Sequence, residues 1–175
     1  MPSRPVIALL EPNLVLEGSV LALTPAVIAQ HGLKGLVLDV DDTIISTHSA
    51  VVPPEVKEWM EEVKQIASIA LVSNNLSHNR IRRIAAVLDL PYIFGARKPS
   101  RKKVRQAVQK MNLPFQEVAM VGDRLFTDVL VGNRLGMFSI LVEPMQDSSR
   151  RRKRKTWLRS FEVWLSQILS VIFKR

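Results

Sequence analysis

Short apolar runs alternate along this chain with stretches whose apolar positions recur every three or four residues. Residues 35–39 (GLVLD), 68–73 (SIALVS), 92–94, 118–121 and 138–142 read as strands. Between them, residues 54–66 open on prolines and read as a helix. Residues 77–88 place Ile81, Ile84, Ala85 and Leu88 on one helical face. Ser100 is positioned to cap a helix running to Met111, and a helix over 125–135 stops at Gly136. Earlier, Thr24-Pro25 marks a helix start and Gly32 its end, whereas the segment before Thr24 has no clear period. Near-continuous apolar strands alternating with helices predict a mainly parallel sheet with helices on both faces, a doubly wound, Rossmann-like α/β domain.

Composition supports a packed core: 47% of the 175 residues are hydrophobic and the mean hydropathy is +0.10. Wholesale disorder is excluded, because it requires low hydrophobicity. The formal charge of +9 is unevenly spread. Residues 1–149 carry 16 basic and 15 acidic side chains, and residues 150–175 carry nine basic and one acidic. A near-neutral domain over 1–147 and a basic tail over 148–175 follow, rather than a uniformly basic polyanion binder. There is no cysteine, which excludes disulfides, thiolate catalysis and Cys-based zinc sites and is compatible with an intracellular location. The apolar run at 5–10 is cut by Glu11, a poor secretory signal, and no uncharged stretch reaches the ~18–20 residues of a membrane-spanning helix.

In open parallel sheets, ligands bind at the carboxyl ends of the strands. Here those ends carry Asp39, Asp41, Asp42 and Thr43, then Ser73, Asn74 and Asn75, then Arg97 and Lys98, then Gly122 and Asp123 with Asp128 five residues on. Taken singly, such residues serve as caps, turns or surface charges. In sequence they bring five carboxylates to one edge, which a cation must compensate. Oxygen ligands suit a hard divalent ion such as Mg²⁺. With Lys98 as ammonium and Ser73 as hydroxyl donor, the set can hold a tetrahedral phosphate, and a carboxylate can attack phosphorus.

These residues resemble the four motifs of the haloacid dehalogenase (HAD) superfamily. Asp39, Asp41 and Thr43 match DxDx[TV], Ser73 the strand-end hydroxyl, Lys98 the lysine before a helix, and Gly122, Asp123 and Asp128 match GDxxxxD. The strings GLKGLVLDVDDTI, LVSNN, ARKP and VGDRLFTDVLVGNRLG resemble more narrowly the YqeG group of HAD subclass IIIA, which includes phosphatidylglycerophosphate phosphatases. Asp42 departs from that group, where Asn is more frequent. The resemblance implies a HAD fold with Asp39 as nucleophile and Asp41 as general acid, then base. It also implies Thr43, Ser73, Asn74 and Lys98 around the phosphate, and Mg²⁺ held by Asp39, the Asp41 carbonyl and Asp123, with Asp128 behind or through water. The gaps 44–72 and 74–97 leave no room for a cap domain, so an open site and a bulky substrate are expected, a lipid head group or a phosphoprotein. Arg101, Lys102, Lys103 and Arg105 fit either an anionic-substrate rim or a solvated helix face, while Arg80, Arg82 and Arg83 read as surface residues.

The tail opens with Arg150, Arg151, Arg152, Lys153, Arg154 and Lys155. On a helix, Trp157, Phe161, Trp164, Ile168 and Ile172 then share one face. Its 13 residues from Phe161 to Phe173 would be about 20 Å long, too short for a core of ~30 Å. A polybasic run beside an aromatic-rich amphipathic helix suits an anionic membrane surface. The same face also suits packing on protein. The basic run lacks the interleaved aromatics of single-strand nucleic-acid binding. The expected protein is a Mg²⁺-dependent phosphatase, peripheral on the cytosolic face of a membrane, with phosphatidylglycerophosphate as substrate. The alternatives are a phosphoprotein or nucleic-acid-end phosphatase, and a non-catalytic basic binding module.

Overall fold

A computed structural model describes residues 6–145. The expected boundary at 147/148 and the tail candidates from Arg150 to Ile172 lie outside the described residues. Six strands form one parallel sheet: β1 (Leu14–Val15), β2 (Gly35–Leu38), β3 (Ser68–Val72), β4 (Tyr92–Ile93), β5 (Val118–Gly122) and β6 (Phe138–Leu141). Their order is β1-β6-β5-β2-β3-β4. The helices are α1 (Pro25–Gln30), α2 (Pro54–Lys64), α3 (His78–Leu88), α4 (Arg101–Met111) and α5 (Leu130–Leu135). The expected α/β architecture is present, with β1 resolving the ambiguous N-terminal segment as a two-residue edge strand on β6.

Strand alternation divides the core between the two faces of the sheet. Leu36, Leu38, Ile69, Leu71, Ala119 and Val121 pack with Ile28 of α1, Val56, Met60 and Val63 of α2, and Ile81, Ile84 and Leu88 of α3. Val37, Ala70, Val72, Val118 and Met120 face the other way, onto Val104, Ala107 and Val108 of α4 and Val131 of α5. Both faces are therefore covered, which explains why these strands read as continuous apolar runs rather than alternating ones.

Local chemistry sets the boundaries. The Thr24 hydroxyl accepts from the Val27 N–H at 3.4 Å and caps α1. Ser100 stands at the N-cap of α4, but its side chain makes no capping hydrogen bond, contrary to expectation. The helix expected over 125–135 is two pieces, a π-helical turn at Leu125–Val129 followed by α5, which ends where Gly136 adopts φ +72°. Between β2 and β3 lies α2 and its approach loop, and between β3 and residue 97 lie α3 and β4, so neither gap holds a cap domain. No helix among the described residues is long and apolar enough to cross a membrane.

Register aligns the chemistry. Leu38 pairs with Leu71 on one side and Val121 on the other. The three central strands therefore end level, and the residues that follow them emerge side by side. The ladder continues into Asp39, whose N–H donates to the Val121 carbonyl at 2.9 Å.

Candidate active site

Asp39, Asp41, Thr43, Ser73, Lys98, Asp123 and Asp128 are all buried, an unusual concentration of polar groups in one place. Lys98 lies at its centre. Its Nζ donates to Asp39 Oδ1 at 2.6 Å and lies 2.6 Å from Asp128 Oδ1. Asn74 fixes the lysine from behind: the Lys98 N–H donates to Asn74 Oδ1 at 2.7 Å, and Asn74 Nδ2 donates to the Lys98 carbonyl at 3.2 Å. Asn74 thus holds the backbone of Lys98.

Asp41 stands apart from this group. Ser73 Oγ donates to its Oδ2 at 3.1 Å, and Ser73 is itself fixed by the Asn75 N–H at 3.0 Å. Arg80 Nη1 donates to Asp41 Oδ1 at 2.6 Å. Arg80 is therefore not the surface residue expected from sequence. Its signal was position: a cation in the first turn of α3, where the helix dipole disfavours it and no acidic residue compensates. Arg82 and Arg83 are exposed, as expected.

The buried Thr43 hydroxyl donates to Asp123 Oδ1 at 3.4 Å. Asp42 adopts φ +61°, a left-handed conformation that Asn and Asp tolerate best. Its carboxylate accepts from the Thr47 N–H at 2.9 Å and the Thr47 hydroxyl at 2.7 Å, closing the loop after β2. Among the basic residues after β4, Arg97, Arg101, Lys102 and Arg105 are exposed, whereas Lys103 Nζ donates to the Phe94 carbonyl at 2.6 Å and lies over the Phe94 ring.

Asp128 reaches the site from the π-helical turn, where the Val129 N–H donates to the Arg124 carbonyl five residues back. The Arg124 N–H donates to Asp128 Oδ2 at 3.3 Å. The carboxylate lies directly over Gly122, where any Cβ would overlap it. That contact is why the motif needs glycine before its aspartate.

One carboxylate oxygen from each of Asp39, Asp123 and Asp128 lies within 4.8 Å of the others. Burial, with the charge of Asp128, outweighs the Lys98 ammonium and raises the Asp39 carboxyl from 3.8 to about 6. Burial and the charges of Asp39 and Asp128 raise Asp123 to about 7. For Lys98, burial opposes the charge, but Asp128 and Asp39 outweigh it and the ammonium is held more firmly than usual. Asp128 Oδ1, despite its ion pair, receives no aligned hydrogen bond, the one buried side-chain oxygen in that state among the described residues. Hard oxygen donors, mutual repulsion and spare acceptor capacity fit a divalent cation.

Two outcomes follow. Gly122→Ala should push Asp128 aside and lower phosphatase turnover by about 100-fold or more, a loss read directly by phosphate release. Asp39 and Asp123 bind protons more readily folded than unfolded, so without metal their contribution to stability is fullest below about pH 4 and is lost as pH rises through about 6 to 7. In chelator, the contribution of this pair to Tm should fall by on the order of 5 °C between about pH 5 and about pH 8, and Asp123→Asn should flatten the fall. Added Mg²⁺ should raise Tm more at the higher pH, because the ion competes with protons. A metal-induced shift independent of pH would contradict this.

The family model described as mitochondrial PGP phosphatase matches residues 11–89, and one described as HAD-hydrolase-like matches residues 95–156. The probable phosphatase YqeG of Bacillus subtilis (strain 168) is 36% identical over 127 residues, 72% of this chain and 73% of that protein. Phosphatidylglycerophosphate phosphatase 1, chloroplastic/mitochondrial, of Arabidopsis thaliana is 25% identical over 159 residues, covering 83% of this chain but 46% of that protein. The crystal structure of an uncharacterized protein from Listeria monocytogenes serotype 4b shares the fold, with TM-score 0.54 and 19% identity over 66% of this chain and 84% of that one. By its strand-end site and this similarity, the chain belongs to the YqeG family of HAD-type phosphatases.

Proposed function

We propose that this phosphatase hydrolyses the phosphomonoester of phosphatidylglycerophosphate at a membrane surface, through an aspartyl-phosphate on Asp39. The observation that carries the chemistry is the convergence of Asp39, Lys98, Asp123 and Asp128 beside a separately held Asp41. Asp39 attacks phosphorus while the bond to the leaving oxygen breaks, and Asp41 gives that oxygen its proton. Asp41 then takes a proton from water as the water attacks the aspartyl-phosphate, releasing phosphate and restoring Asp39. Lys98 and Ser73 hold phosphate oxygens and offset charge growing on them. Asp39, Asp123 and the Asp41 carbonyl would hold Mg²⁺, braced by Asp128 and Thr43, and the ion supplies charge neutralisation at the phosphoryl group.

The lipid substrate is supported by the family model over residues 11–89 and the plant relative's named activity. The lack of a cap between the motifs leaves room for a substrate with its own bulk. The surface around the site supports it too. Among the described residues, the three most exposed large hydrophobics are Val51 at 76%, Leu76 at 74% and Phe126 at 59%. They stand on the segments that follow β2, β3 and β5, at the same sheet edge as the catalytic groups. Exposed Arg97, Arg101 and Lys102 lie at that edge as well. Apolar tips among cations suit an anionic bilayer surface, and the basic tail supplies the second of the two signals that stable peripheral binding requires. The cytosolic face, where anionic lipid is enriched, is the matching location.

Phosphate release from phosphatidylglycerophosphate vesicles, a phosphopeptide and a 5′-phosphorylated oligonucleotide should favour the lipid by about 100-fold or more in kcat/KM, and Asp39→Asn should lose at least ~1,000-fold. Preference for the peptide or the oligonucleotide would replace the lipid reading, and equal release by Asp39→Asn would end the covalent one. Deleting residues 150–175 should abolish co-sedimentation with anionic liposomes, and unchanged sedimentation would refute the tail as anchor.

A further inference from the structure

Arg80 makes more contacts than an ion pair requires. Its Nε donates to the Ser49 carbonyl at 3.0 Å, its Nη2 to the Ser46 carbonyl at 3.2 Å, and its Nη1 to Asp41 Oδ1 at 2.6 Å. All three nitrogens of the fork are therefore engaged, and the guanidinium plane is fixed by two backbone carbonyls of the loop that follows β2. The Asp41 carboxylate is in turn held at both oxygens, by Arg80 on one and Ser73 on the other. Asp41 is buried and stays separate from the Asp39–Asp123–Asp128 group.

We propose that Arg80 is a positioning residue for Asp41, holding the carboxylate at the orientation from which it serves the leaving oxygen. The inference rests on the reading of Asp41 as proton donor. Three features support it. A carboxylate that must give and then take a proton within one turnover has to keep a single position through both steps, and a fork fixed by backbone carbonyls provides that. The two carbonyl bonds alone would tether the loop, so the third nitrogen, spent on a buried carboxylate, serves another purpose. Lysine cannot reproduce the arrangement, because one ammonium does not present three directed donors in a plane. The placement also offsets a local cost, since Asp41 supplies the negative charge that the first turn of α3 lacks.

Leaving-group dependence tests this, because a proton donor matters most where the departing oxygen is basic. The substrates are short-chain phosphatidylglycerophosphate, which releases an alkoxide oxygen, and p-nitrophenyl phosphate, which releases a stable phenolate. For Arg80→Ala, kcat/KM on the lipid should fall about 30-fold, while kcat/KM on the aryl ester, which reports only the steps through departure of the leaving group, falls by no more than about threefold. Arg80→Lys, which keeps the charge and most of the stem, should show the same selectivity and provides the measurement if the alanine variant folds poorly. In an Asp41→Asn background, Arg80→Ala should cost less than about twofold more, because both act through one group. An equal loss of kcat/KM on both substrates, or a full additional loss in the Asp41→Asn background, would overturn the proposal. If Asp41→Asn itself shows no leaving-group selectivity, the proton-donor reading falls. If it does and neither Arg80 variant follows, only the role of Arg80 falls.

Discussion

Three aspartates at the carboxyl edge of the sheet bring oxygens within 4.8 Å of one another in a buried site, and much of the surrounding structure answers their repulsion. Lys98 is the internal answer. Its ammonium touches Asp39 and Asp128 at once and is nearly inaccessible to water. Such an arrangement is weak as a source of stability, because each buried charge must first be stripped of solvent. Its value lies in keeping two carboxylates at fixed places while still under-neutralised. Lys98 against Asp39 and Asp128, with the looser Arg124–Asp123 pair at 3.8 Å, leaves the three carboxylates under-neutralised, and the residual negative charge suits a hard cation.

The supports around this centre are graded by distance from the chemistry. Asn74 acts on Lys98 through its backbone, and so helps set where the ammonium points. Thr43 turns its hydroxyl to Asp123, and Arg80 and Ser73 share Asp41. Asp42 uses its carboxylate on Thr47 and its left-handed backbone to turn the chain back, so the segment after β2 brings both Asp39 and Asp41 to the site within three residues. The near-neutral total charge of the domain conceals this division into a negative interior edge and cationic flanks.

Much of this was legible in the sequence because parallel strands are buried on both faces and announce themselves as apolar runs. Once those runs were placed, Asp39, Ser73, Lys98 and Asp123 followed as strand-end residues, and the structure brings them together. What escaped the sequence depended on side-chain direction or on partners far along the chain. Arg80 matches Arg82 and Arg83 in type, its first-turn place in α3 was a faint cue, and the carbonyls of Ser46 and Ser49 that hold it come from a distant loop. Leu14–Val15 is too short to show a period, and its pairing with β6 is set by residues 126 positions away. Asn74 has nothing in its neighbourhood to mark it as a clamp on residue 98. The split of the last helix was hidden because a π-turn and an α-turn have the same apolar composition.

That split governs the phase of Asp128 around its helix. The extra residue in the turn lets the chain leave Asp123, clear the mouth of the site and still return a carboxylate over Gly122. A regular α-turn would change the angular position by about 100° per residue and carry the side chain off the site. The helix behind it would meanwhile keep Val131 in the core. The π-turn therefore works as a vernier. It sets the angle of the Asp128 carboxylate independently of the helix that follows it, so the packing of α5 and the geometry of the site need not be solved by the same residues.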